Sequence, residues 1–375
     1  MGMYPTGMAT LRKEWFLVLS LATTAAFALR GEVLTSGLSN PYRLGLVFFW
    51  LFAVVLGSAL AVVRHADHLA EKLGEPFGTL VLTICITSIE VISITAIMLH
   101  GANNPTLARD TLFAVTMIVL NGMVGLSLLW GGWRHREQHY NLQGANTYLG
   151  VIIPLGVLGL VMPDYTITTS GATLSLAQEI FVALISVGLY AAFLFLQTSR
   201  HRAYFMTHDD VCDASDAAVT TTTESPRTSK HVLLLAIYMA LIVYLAEKLA
   251  PPVDYVVETL GKPAALAGLA MAVLVATPEI IGAVRAAGRN HLQRSMNIFL
   301  GSVLSTIGLT IPAILIISEL THHPIVLGLQ HTDLLLFLLT LALCMVTFSS
   351  GRTNILQGGV HLILFVAYLF LIFQG

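Results

Sequence analysis

GTLVLTICITSIEVISITAIML, residues 78–99, is an apolar run with a single carboxylate, Glu90, near its middle. Its counterpart, AALAGLAMAVLVATPEIIGAVRA at residues 264–286, carries Glu279. A helix of either length crosses a bilayer whose hydrocarbon is roughly 30 Å thick. A charge held inside that layer costs on the order of 2.5–3.5 kcal/mol on insertion scales, so intramembrane acids mark ion or proton sites by default. The competing reading is a pair of protonated carboxyls that serve packing. No other acid falls well inside an apolar run, so the two glutamates are the expected centre of function.

Composition sets the same frame. Hydrophobic residues make up 56% of the 375, and Asp, Glu, Lys and Arg together only 11%, against roughly 25% charged in an ordinary soluble domain. A net charge of −2 carries no nucleic-acid signature. The three cysteines, Cys85, Cys212 and Cys344, form no CxxC or metal-ligand spacing, and no cofactor is expected. The partners implied are lipid, inorganic cations and protons.

Apolar runs of span length predict an all-α polytopic membrane protein with eleven helices. They cover approximately 14–30, 43–63, 77–99, 109–131, 147–163, 177–198, 231–249, 264–286, 294–318, 331–349 and 356–373. Arg12 and Lys13 ahead of an apolar run ending in Ala26-Phe27-Ala28 resemble a signal peptide, but a retained first helix is the preferred reading. The longest polar interruption, Ser199–Lys230, holds Asp209, Asp210, Asp213 and Asp216 and reads as a cytoplasmic linker without EF-hand spacing. This gives an N-terminal segment (1–42), a first five-helix repeat (43–198), the linker (199–230) and a second five-helix repeat (231–375).

Internal similarity supports the division. Gly74-Glu75-Pro76 precedes one acidic helix and Gly261-Lys262-Pro263 the other; Thr87-Ser88-Ile89-Glu90 answers Ala276-Thr277-Pro278-Glu279. On the following helices Asn121-Gly122-Met123-Val124-Gly125 answers Gly301-Ser302-Val303-Leu304-Ser305. The acidic helices are the third and the eighth, so they cross in opposite directions, as in an inverted-topology repeat whose site lies at the midplane.

The surrounding residues suit a hard cation, which takes oxygen ligands. Thr79, Thr83, Thr87 and Glu90 fall on one face of a helix, with Ser88 beside them. Pro278 cannot donate to the carbonyl of Leu274, which frees that oxygen. Asn121, Thr277, Ser302, Ser305 and Thr306 add neutral oxygens. Each has an ordinary alternative, since hydroxyls in membrane helices bond their own backbone and prolines kink; what distinguishes them is that they cluster about Glu90 and Glu279, the expected metal ligands.

At these residues the sequence resembles the calcium/cation antiporter superfamily, in particular its bacterial calcium(sodium)/proton antiporter branch. The similarity is carried by TSIEVISI at 87–94, RDTLFAVTMIV at 109–119, NLQGANTYL at 141–149, ATPEIIGAVRAA at 276–287, QRSMNIFLGSVLSTIGLTIP at 293–312 and FSSGRTNILQGGVHL at 348–362. The resemblance implies eleven helices in two inverted five-helix halves plus one extra, and cation efflux driven by proton entry. Two departures stand out. Thr87-Ser88 replaces a Gly-Asn pair usual in calcium/proton exchangers, and Thr277-Pro278 replaces an Asn, so Ca²⁺, Na⁺ and K⁺ all remain open. The expected mechanism is alternating access at one midplane site formed by both glutamates. A cation channel is the alternative; an intramembrane enzyme lacks an HExxH or GxSxG motif.

Orientation follows from basic residues. Five of the 19, Arg30, Arg43, Arg109, Lys248 and Lys262, fall on one side, and the other fourteen on the side of the N-terminus. That places the N-terminus and the 199–230 linker in the cytoplasm of a cell inner membrane. A reporter active only outside the cytoplasm should stay silent when fused within residues 199–230; activity there would overturn the orientation.

Overall fold

The computed structural model describes residues 14–73, 77–99, 105–169, 171–206 and 227–374. Eleven helices stand among them, one for each predicted span. They are α1 (Trp15–Thr35), α2 (Pro41–Leu73), α3 (Phe77–Met98), α4 (Leu107–His135), α5 (Leu142–Tyr165), α6 (Leu176–Arg200), α7 (Arg227–Asp254), α8 (Ala265–Gly288), α9 (Leu292–Thr321), α10 (His331–Thr347) and α11 (Ile355–Gln374). Nine are long and apolar enough to cross a membrane; the shorter apolar helices are Thr83–Ala96, within α3, and His331–Thr347. Large apolar side chains such as Leu29, Leu184, Val346 and Phe373 stand outward, the pattern expected where lipid rather than water is the neighbour.

Helix ends depart from the predicted ones in a consistent way. Most helices run several residues past the apolar stretch, because polar ends continue the backbone ladder into the interface. The fifth, expected to be short, spans Leu142–Tyr165; Asn141 caps it by accepting from the N–H groups of Gln143 and Gly144. Residues 200–206, at the start of the 199–230 linker, pack against the helices. Phe205 packs edge-on to Tyr148 and Phe193, and Asn297 donates to its carbonyl at 2.7 Å. The four linker aspartates lie outside the described residues.

The chain folds as two compact units. The first holds α1, α2, α3 and α7. In it α2 packs on α7, α3 packs on both, and α1 lies against α2 and α7. Gly57 of α2 leaves the space that the Phe16 ring of α1 fills, and the hydroxyls of Ser20 and Ser58 meet at 3.0 Å. The second unit holds α4–α6 and α8–α11. There α4 packs against α8 and α11, and α9 packs against α5, α6 and α8. A Cβ on Gly268 of α8 would come within 2.7 Å of the Asp110 backbone, so glycine is what lets these helix axes approach.

Two features of the second unit have no counterpart in the predicted fold. A two-residue ribbon pairs Gln138–His139 antiparallel with Arg352–Thr353. The N–H and carbonyl of Gly351 bond the hydroxyl and N–H of Tyr140, at 3.1 Å each, and Gly351 takes the φ of +73° that this turn requires. The other is a buried ion pair. Arg109 meets the Asp110 carboxylate through Nε at 2.9 Å and Nη2 at 2.8 Å. Thr106 also donates to Asp110, and Arg109 donates to the Gly328 carbonyl at 3.3 Å. Asp110 is thus a further acid within a span, one that the run of hydrophobic residues around it concealed.

Removing one member of a buried pair leaves an uncompensated charge, at a cost of about 3–5 kcal/mol. Arg109→Leu and Asp110→Leu should each lower the thermal midpoint of the detergent-purified protein sharply, while the double substitution recovers most of the loss. Equal losses in single and double variants would contradict the pairing.

Candidate functional site

In the first unit the polar residues of α3 gather about Glu90. Its side chain is buried, with 1% of the residue exposed, and it is the one charged residue of α3. Thr87, one turn before it, is also buried, while Thr83 and Ser88 are half-buried. Ser93, three residues further on, is fully buried. The hydroxyls of Thr87 and Ser93 have no hydrogen-bond partner among the described residues. A buried hydroxyl without a partner costs about 1–3 kcal/mol, so two of them flanking a buried carboxylate are oxygens placed for something other than packing. Ser93 was not among the expected site residues; its signal was the second serine of TSIEVISI, at a spacing of three from Glu90.

In the second unit Glu279 sits on α8, half-buried, one residue after Pro278. Ser302 of α9 donates its hydroxyl to the Glu279 carboxylate, a charge-assisted bond of the stronger class. Ser305 donates in turn to the Ser302 carbonyl at 2.9 Å, and Thr306, next in the chain, is buried. Pro278 has no N–H for the carbonyl of the buried Leu274, and the Thr277 hydroxyl bonds the Val273 carbonyl. Glu279, Ser302 and Ser305 are therefore brought together, whereas the Thr277 hydroxyl serves its own helix.

Asn121 is placed differently. It lies in a π-helical turn, Ile118–Met123, whose residues are all buried. Its amide NH₂ donates to Thr340 at 2.8 Å, and its oxygen lies 3.2 Å from His361 Nδ1, which makes that nitrogen the donor. His361 Nε2 meets the Thr347 hydroxyl at 3.0 Å. The amide thus joins a buried network linking α4, α10 and α11 rather than bonding Glu279. Among the described residues no group of three or more His, Cys, Asp or Glu side chains could hold a metal ion. The oxygens here are carboxylates, hydroxyls and backbone carbonyls, the donor class that hard cations take.

If Glu279 carries the cation, the Ser302 hydroxyl orients it. Ser302→Ala should then raise the cation concentration for half-maximal binding about tenfold, equivalent to 1.4 kcal/mol, and Ser302→Thr should restore it. Calorimetric titration with Na⁺, K⁺ and Ca²⁺ reads this directly; an unchanged midpoint in the alanine variant would exclude the role.

Residues 44–199 and 230–374 match the family model described as sodium/calcium exchanger protein. The chain is 41% identical over 332 residues to y4hA of Sinorhizobium fredii, an ionic transporter by name, covering 88% of this chain and 89% of that protein. It is 39% identical over 328 residues to the sodium-potassium/proton antiporter ChaA of Escherichia coli, covering 85% and 86%. Among solved structures, the Ca²⁺/H⁺ antiporter YfkE superposes with a TM-score of 0.71 at 19% identity, over 96% of this chain and 100% of that one. With the fold and its apolar helices, these matches identify a multi-pass membrane protein, and the chain belongs to the sodium/calcium exchanger protein family.

Proposed function

We propose that this protein is a secondary active antiporter that exports an inorganic cation in exchange for protons, with Glu90 and Glu279 as the groups that carry both. The observation that carries the reading is Glu90, a carboxylate buried within a membrane-spanning helix and flanked in sequence by the buried hydroxyls of Thr87 and Ser93. Such a group is expensive in hydrocarbon unless it exchanges one neutralising partner for another. Na⁺ and K⁺ are the first candidates, because a relative at 39% identity is named as a sodium-potassium/proton antiporter; Ca²⁺ is the other, and the solved structure of similar fold is described as a Ca²⁺/H⁺ antiporter.

The mechanism is competition. A deprotonated carboxylate takes the cation from the cytoplasm, the scaffold alternates access, and protons from outside displace it. The neutral, protonated form then returns. An empty and charged form is too costly to reorient, and that cost is what couples the two fluxes. The distribution of basic residues supports an inner-membrane protein with its N-terminus in the cytoplasm.

In everted vesicles with an acidified lumen, Na⁺, K⁺ or Ca²⁺ should relax the proton gradient. Glu90→Gln and Glu279→Gln should each abolish this without preventing insertion, while Glu319→Gln should leave it nearly intact. Because protons occupy the carboxylates that the cation needs, lowering the pH should raise the cation concentration for half-maximal exchange, and raising it should do the opposite. Cation binding to the purified protein should release protons; binding that releases none between about pH 6 and pH 9 would put a channel ahead of an antiporter.

A further inference from the structure

The first unit gathers a second set of titratable side chains, which the exchange just described does not use. Glu14, immediately before α1, is buried. It accepts from Arg64 Nη2 at 2.6 Å and from the Tyr238 hydroxyl at 3.4 Å, through the same oxygen. That oxygen lies 3.6 Å from Nε2 of His65, a ring that is 1% exposed. On its other side His65 Nδ1 stands 2.9 Å from Nδ1 of His231, and the His68 ring lies 4.9 Å from that of His231. Glu14 precedes α1, His65 and His68 belong to α2, and His231 belongs to α7. The cluster therefore ties three helices together, and one of them, α1, precedes the residues matched by the family model.

The Nδ1 to Nδ1 contact limits how many protons the pair can hold. Two imidazole nitrogens at 2.9 Å are bridged by one hydrogen, with one nitrogen donating and the other offering its lone pair. With both rings neutral the bridge exists. With one added proton it becomes charge-assisted and stronger: His65 directs Nε2–H towards Glu14 and Nδ1–H towards His231. With two added protons both Nδ1 atoms carry hydrogens, and the contact must open.

The charges around the pair act in the same sense. Burial opposes any added charge on the two rings; Glu14 offsets part of that cost, while Arg64, His68 and Lys72 on α2 and Lys230 on α7 add to it, so a second proton meets the greater opposition. Asp67 of α2 lies near in sequence, and α3, which packs on both α2 and α7, brings Cys85 and Glu90. Among the side chains described on these helices, the other charged ones, Arg30, Glu32, Arg43, Glu247, Lys248 and Asp254, lie towards the opposite helix ends.

We propose that His65 and His231 form a proton-binding site separate from Glu90 and Glu279. It stores one proton shared between the two Nδ1 atoms under the charge of Glu14, and a second proton parts α7 from α2 at this end and slows exchange in acid. The last step rests on the antiport reading; the site itself does not.

The full-length protein, labelled with ¹⁵N-histidine and held in lipid nanodiscs, is titrated between about pH 4 and pH 8, where histidines change charge. His65 and His231 should titrate in two linked steps. His231→Gln should reduce His65 to a single step, and His65→Gln should do the same to His231, so that either variant suffices if the other does not fold. Glu14→Gln should move the first step to lower pH by at least about half a unit. Independent single steps, unaltered by replacing the partner ring, would overturn the site. In vesicles, Glu14→Gln should shift the acid limb of Na⁺-, K⁺- or Ca²⁺-driven proton release by a similar amount; an acid limb that does not move would overturn the control of exchange. Wild-type protein that exchanges none of these cations would defeat the antiport reading instead, and the titration would still decide the site.

Discussion

Inside hydrocarbon there is no water to satisfy a backbone N–H or C=O, so each must find its partner within its own helix or a neighbour. The eleven helices are the direct result, and the irregularities show where the rule is relaxed. The π-helical turns Ile118–Met123 in α4 and Thr306–Thr310 in α9 interrupt the regular ladder where side chains are mostly buried, and such turns concentrate at functional sites. Pro278 relaxes the same ladder one residue before Glu279, leaving the Leu274 carbonyl without its usual donor. Backbone irregularity and candidate site residues thus share stretches of α4, α8 and α9, while the π-helical turns Val157–Val161 in α5, Leu196–Arg200 in α6 and Tyr255–Thr259 after α7 hold no candidate residue.

The buried charges separate into two kinds by how they are satisfied. Asp110 is enclosed by Arg109 and Thr106, and Arg109 is further held by the Gly328 carbonyl. Every strong requirement of that pair is met by the protein, so it holds α4 against the segment before α10. Glu90 instead lies between the Thr87 and Ser93 hydroxyls, which have no hydrogen-bond partner among the described residues. A carboxylate with incompletely used oxygens around it can trade a proton for a cation; one locked by a guanidinium cannot without breaking the lock. If Glu90 carries substrate as proposed, this distinction, rather than burial, separates it from the structural Asp110.

Much of this was legible in the sequence because hydrocarbon imposes a length and a composition on each span. All eleven helices were readable from apolar runs, and Glu90 and Glu279 stood out as candidates because an acid inside such a run is rare. What was hidden depends on pairing across long separations. The ribbon joins Gln138 to Thr353 through two residues a side, too short to give a strand pattern. Asn121 carries an amide suited to a cation, but its orientation is set by Thr340 and His361, more than 200 residues away. Ser302 was expected as one of several neutral oxygens, and only the packing of α9 on α8 singles it out as the donor to Glu279. The histidine cluster was hidden for the same reason, since His65 and His231 are 166 residues apart.

The donor types also bear on which ions can be exchanged. Thr87-Ser88 offers hydroxyls where amide side chains would give stronger dipoles, the Thr277 hydroxyl is engaged with the Val273 carbonyl, and the Asn121 amide with Thr340 and His361. The charge available to a cation is then mainly that of two carboxylates. If both carry substrate, as proposed, two protons, two monovalent cations or one divalent cation each leave them neutral. Neutrality is the condition for crossing hydrocarbon cheaply, so these loadings are interchangeable in charge. Choice among them then falls to oxygen count and geometry, where Ca²⁺ requires six to eight oxygens about it.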